Sequence, residues 1–145
     1  MPFQVTHHTY WVTAMCLVSG YALWRGDEPE RLAAIANVAA WLATLVAQAR
    51  SSLDSEVSLL LVDAMFFAFL LWLALTRDRV WLLFAAAFQL LALVTDLATM
   101  ADAAVGALAY LKSLAIWGYF FLAALGTGTF VVARRRFPKG PQKFA

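Results

Sequence analysis

With 145 residues, 63% of them hydrophobic and 14% charged, the chain is far more apolar than a soluble domain. Its mean hydropathy of +0.74 points the same way. One core of this size cannot hide that much apolar surface from water, which excludes an ordinary soluble enzyme or binding domain. The net charge of +2 resides in the basic residues beyond position 133, so it marks a tail and not a nucleic-acid-binding surface.

A spanning helix takes about 20 residues, and the sequence has room for about five of them with short loops. Helix 1 is expected over residues 8–24 and is the weakest, with Tyr10, Trp11, Tyr21 and Trp24 at its ends as interfacial aromatics. No Lys or Arg precedes Tyr10, Gly20-Tyr21-Ala22 is only a loose small-x-small site, and Thr13-Ala14-Met15 before Cys16 is a poor lipobox. The segment therefore reads as a retained helix and not a signal peptide. Cys16 is the single cysteine, so neither an intrachain disulfide nor a cysteine metal pair can form.

A charged loop, Arg25 to Arg31, follows, with Asp27 or Glu28 before Pro29 suited to a helix start. Helix 2 is expected over 32–49, where Ala36, Ala40, Ala43 and Ala47 share a face that lets another helix approach closely. Asp54 or Ser55 can cap helix 3, expected over 57–75, whose second half (Phe66, Phe67, Phe69, Leu70, Leu71 and Trp72) is bulky and lipid-like. Helix 4 is expected over 80–100 and helix 5 over 105–132, the latter long enough to tilt. One transmembrane domain thus occupies residues 1–133, followed by a basic tail, 134–145, expected to be flexible.

Orientation follows from the distribution of Lys and Arg, which favour the cytoplasmic side. With five spans and the N-terminus outside, the inner segments hold Arg25, Arg31, Arg77, Arg79, Arg134, Arg135, Arg136, Lys139 and Lys143. The outer segments hold only Arg50, with Lys112 counted as intramembrane. An even number of spans would spoil this alternation.

Ionisable residues within spans are expensive and mark candidate sites. Asp63, Asp96 and Lys112 qualify, all about 6–10 Å below the outer boundary in this topology. Gln89, Asp96 and Thr99 share a face of helix 4 with Ala85 and Ala92, which should turn inward. Two roles are open to this cluster. An ion pair with Lys112 could fix helix register, Lys112 being also shallow enough to snorkel to the headgroups. The intramembrane acids could instead exchange protons with the outside. Ala124 and Gly128 form a small-xxx-small pair on helix 5. Arg134, Arg135, Arg136, Lys139 and Lys143 are a topological anchor that can also contact anionic headgroups.

His7 and His8 are adjacent, and neighbours on a helix do not aim both rings at one ion. No metal or cofactor is expected, and no nucleophile elbow, phosphate loop or dinucleotide fingerprint occurs.

Arg31-Leu32-Ala33-Ala34 opening helix 2, Trp81 through Phe88-Gln89-Leu90-Leu91, and Ala109-Tyr110 with Ile116-Trp117-Gly118-Tyr119 together resemble a set of short, uncharacterised polytopic proteins of alphaproteobacteria. The resemblance covers most of the chain. It implies a multi-pass bacterial inner-membrane protein with no activity to carry over. That pattern has a histidine near position 96, where this chain has Asp96, so a titratable group stays while a metal role is weakened. Small four-helix transporters and membrane-bound glutathione-dependent enzymes are similar in size. Glu30-Arg31 followed by Asn37 echoes the latter.

The expected function is a non-enzymatic one, through helix packing with a second copy or a larger membrane complex. The alternative is a small proton- or cation-coupled transporter or channel using Asp63, Asp96 and Lys112. The lipid bilayer is the expected partner, with no role for nucleic acid.

Overall fold

The computed structural model describes residues 2–49, 55–101 and 107–136, and all five of its elements are α-helices: α1 Pro2–Arg25, α2 Glu28–Ala49, α3 Ser55–Thr76, α4 Val80–Ala101 and α5 Ala107–Arg136. Four helical stretches are long and apolar enough to cross a membrane: Glu28–Ala49, Val57–Thr76, Val80–Ala101 and Ile116–Arg135. Each helix packs on the next, α1 closes the ring against α5, and α2 reaches α5 across it.

The predicted charged loop before α2 shrinks to Gly26 and Asp27, because the helix starts four residues earlier than residue 32. The reason is a capping box. Asp27 is the N-cap: its C=O accepts the first helical bond, from Arg31 N–H at 3.0 Å. Glu30 Oε2 reaches back to accept the Asp27 N–H at 3.1 Å. Pro29 in the first turn gives up no needed donor, and Glu28 and Glu30 meet the positive end of the helix dipole. Gly26 is required by close approach: a Cβ there would lie 2.7 Å from the Glu30 Cβ and also collide with the Ala22 carbonyl. At the other end of the chain α5 runs to Arg136, four residues past the expected 132, and the Arg134 guanidinium stacks 4.7 Å over Phe130. The expected flexible tail beyond it, with Lys139 and Lys143, lies outside the described residues.

Met15, Ala22, Ala33, Ala34, Phe66, Leu70, Ala85, Ala86, Phe121, Leu122 and Leu125 form the core, with Phe66 and Phe121 edge-to-face at 5.4 Å in its middle. The second half of α3 is therefore not uniformly lipid-facing: Phe66, Leu70 and Leu73 are buried, while Leu71, Trp72 and Leu75 are exposed. The deeply buried row of α2 is Glu30, Ala33, Ala34 and Asn37, and the alanine face of 36, 40, 43 and 47 is only half-buried. Threonines inside apolar helices bond their own backbone, as Thr76 to Trp72 O, Thr127 to Ala123 O and Thr129 to Leu125 O. This satisfies the hydroxyl within its own helix.

The α1–α2 and α3–α4 connections lie at one end of the bundle. Arg79 pairs with Asp27 at 2.9 Å and Arg77 with Glu28 at 2.8 Å. Arg135 of α5 joins them around an open cleft of about 570 Å³, also lined by Pro29 and Asp78. The basic segments that the sequence groups on one side are thus together in space at that end.

Candidate functional site

Towards the opposite end, α3 and α4 bring three polar side chains together. Gln89 and Asp96 are seven residues apart on α4 and lie with Leu82, Ala85 and Ala92 on its buried face, at 8% and 6% exposure. Asp63, two turns into α3, meets them across the helix interface. Gln89 Nε2–H donates to Asp63 Oδ1 at 3.0 Å. The Asp63 carboxyl also lies within hydrogen-bonding reach of the Asp96 carboxyl. The burial follows from side-chain size: the alanines at 85 and 92 let α3 close on this face, whereas Leu90, Leu91 and Leu97 point outward.

The remaining predicted members are placed differently. Thr99 is half-buried, and its hydroxyl donates to Thr95 O at 2.8 Å and not to the carboxyls. Thr95 itself accepts from Trp117 Nε1–H at 3.2 Å, tying α4 to α5. Lys112 falls within α5, but its side chain lies outside the described residues, as do those of His7 and His8. Of the proposed basic anchor, Arg134 and Arg135 are exposed on the last turns of α5, and the Arg136 side chain lies outside the described residues.

A second polar centre was not singled out from the sequence. Glu30 is fully buried at 0% exposure, and its Oε1 accepts Trp81 Nε1–H at 2.9 Å. The Trp81 ring in turn lies on the backbone of Gly128, where a Cβ would come 2.5 Å from the indole. One carboxylate thus joins the start of α2 to α4 and, through the indole, to α5. The Asp27-x-x-Glu30 spacing was the available signal, since a capping box folds its glutamate back against the helix start.

What the Asp63–Asp96 contact can do follows from its proton count. An ionised carboxylate only accepts hydrogen bonds, so two carboxyls bond each other only when one carries a proton. Two bare negative charges in contact within an apolar segment are costly, and one proton or one small monovalent cation lowers that cost by relieving their mutual repulsion, leaving one net negative charge. The Gln89 amide holds the Asp63 oxygen in place. Among the described residues no group of three or more His, Cys, Asp or Glu is arranged to hold a metal ion. Comparison with protein-family models, with curated proteins and with solved structures gives no match.

Proposed function

We propose that the chain is a small multi-pass protein of a bacterial inner membrane, with the basic end of the bundle in the cytoplasm, and that it binds and releases a single positive charge at Asp63 and Asp96. The four apolar helices are compatible with a small membrane protein. The contact of the two carboxyls, braced by Gln89, carries the assignment. Ionisable groups inside a spanning segment are costly to keep there and are candidates for a functional role. One proton or monovalent cation relieves the repulsion between the two carboxylates and leaves one negative charge, which a cation such as Lys112 could balance. The chemistry needs no nucleophile and is not enzymatic. The test is flux in liposomes containing the purified chain: Asp63→Asn and Asp96→Asn should each lower proton-coupled flux at least tenfold. Flux equal to that of the unaltered chain would remove the assignment.

A second reading, action through packing with another copy or a larger complex, is favoured by α1. Thr9, Thr13, Cys16 and Gly20 form an outward row of small residues at spacings of four, three and four, all exposed. At Gly20 a Cβ would find nothing within 4 Å. Small residues facing lipid leave space for a second helix. Oxidative cross-linking through Cys16 in gentle detergent should then give a covalent dimer. Persistent monomer there, and in native mass spectrometry, would count decisively against it.

A further inference from the structure

The cleft at the basic end of the bundle carries more charge than its ion pairs use. Of its six charged lining residues, four are paired, Arg77 with Glu28 and Arg79 with Asp27. The side chains of Arg135 and Asp78 have no hydrogen bond or ion pair among the described residues, although both line the cleft. Its volume of about 570 Å³ is within the range of small-molecule sites. The walls are held in place from two sides. Arg79 N–H donates to Arg77 O at 2.7 Å and Leu82 N–H to Arg79 O at 3.1 Å, which fixes the α3–α4 turn. Opposite it stands the capped start of α2. Arg77 and Arg79 each bond a carboxylate through one Nη2 group, and a guanidinium has five N–H donors, so both keep donors in reserve.

Charge decides what suits such a lining. Three arginines and three acids balance, with one cation and one anion left unpaired. A plain anion would satisfy Arg135, leave Asp78 uncompensated and lie close to Asp27 and Glu28. A plain cation would satisfy Asp78 and meet three guanidinium groups. A ligand carrying both signs answers both, with an oxyanion for the guanidinium donors and an ammonium for the Asp78 carboxylate. Phosphate is an oxyanion that the planar guanidinium fork fits in a bidentate way. The surroundings add an apolar requirement. Leu75, two residues before Arg77, is 76% exposed, Val80, next to Arg79, is 70% exposed, and Val131, one turn before Arg135, is 43% exposed. Charged cleft and bare apolar side chains adjoin, which matches an amphiphile better than a small solute.

We propose that the cleft is a binding site for a phosphate ester bearing a primary ammonium group, supplied as the phosphoethanolamine headgroup of a phospholipid. Arg135 and the spare donors of Arg77 and Arg79 hold the phosphate, Asp78 accepts from the ammonium, and the acyl chains lie against Leu75, Val80 and Val131. Binding is non-covalent and ties α2, the α3–α4 turn and α5 together at one end. The site is separate from the Asp63–Asp96 pair and does not depend on it.

The experiment is native mass spectrometry of the full chain in gentle detergent, titrated with phosphatidylethanolamine, phosphatidylcholine and phosphatidylglycerol of identical acyl chains. Phosphatidylcholine keeps the positive charge and lacks its N–H donors, and phosphatidylglycerol lacks the positive charge altogether. Phosphatidylethanolamine should bind about tenfold more tightly than either, the weight of one charge-assisted hydrogen bond. Asp78→Asn should abolish the preference over phosphatidylglycerol, and Arg135→Gln should weaken phosphatidylethanolamine about tenfold. Both side chains are exposed, so the Tm of each lipid-free variant should equal that of the parent chain, which separates lost binding from lost fold. Glycerophosphoethanolamine, the same headgroup without acyl chains, is the competitor. Failure to displace the lipid at equal concentration supports the lipid as the source. Ready displacement would keep the chemistry and overturn the lipid as its source. Equal binding of the three lipids, or parent-like binding in both variants, would overturn the site itself.

Discussion

Trp81 and Glu30, 51 residues apart in sequence, meet through one hydrogen bond of 2.9 Å that joins the first turn of α4 to the first turn of α2. Both oxygens of the fully buried carboxylate are thereby used, one by an indole and one by the backbone N–H of Asp27. Burying a carboxylate is tolerable only with such donors, so the indole N–H matters more than its area. Trp81→Phe keeps most of the apolar contact and removes the donor. It should destabilise the bundle by about 1–3 kcal/mol, read as a lowered Tm in detergent. An unchanged Tm would show that Glu30 has another donor.

Gly128 supports the same indole from the opposite side, since a Cβ would come 2.5 Å from the ring. Gly128→Ala should force Trp81 aside and cost about 1–3 kcal/mol of stability. Because both substitutions act on one side chain, Gly128→Ala combined with Trp81→Phe should cost less than the sum of the two, as read in a double-mutant cycle. Strict additivity would place the effect of Gly128 elsewhere.

The two ion pairs at the basic end should differ in weight. Arg77 and Glu28 are 38% and 64% exposed in their side chains, against 28% and 27% for Arg79 and Asp27. Water and salt screen the first pair, so Arg77→Ala should change stability by less than about 1 kcal/mol. Arg79→Ala should cost more, because Asp27 also caps α2 and loses its partner in a less wet setting. Tm measured at low and high salt checks both, and equal losses would contradict the ranking.

Much of this bundle could be read from hydropathy and charge, for a physical reason. In lipid a helix must carry an apolar run, and residues such as Arg77, Arg79 and Arg135 gather at its ends. The Gln89–Asp96 row was legible too, because a seven-residue spacing keeps two side chains on one face. Glu30 was not, since a glutamate in a run of charges looks like a solvated loop. Its burial depends on an indole 51 positions away that no local pattern reveals. The burial of Phe66 and Leu70 was not legible either, because lipid and core demand the same side chains and only packing separates them. Nor does hydropathy distinguish the buried row of Asn37, shared with Ala33 and Ala34, from the half-buried alanine row beside it.

Gln89 should matter to charge binding without being a charge itself. Its amide donates to Asp63 Oδ1 at 3.0 Å, so Gln89→Leu frees that oxygen and loosens the carboxyl pair. Flux in liposomes should fall severalfold, and Gln89→Asn, with a shorter amide, should recover only part of it. Full activity in Gln89→Leu would show that the amide has no positioning role.

The most direct measurement is infrared spectroscopy of the chain in lipid as pH is varied, following the C=O stretch of protonated carboxyls. One such band should rise and fall with pH and disappear in both Asp63→Asn and Asp96→Asn, because the proton belongs to the pair. A band that survives in both variants, or none in the parent chain at any pH, would contradict a charge-binding site at these two residues.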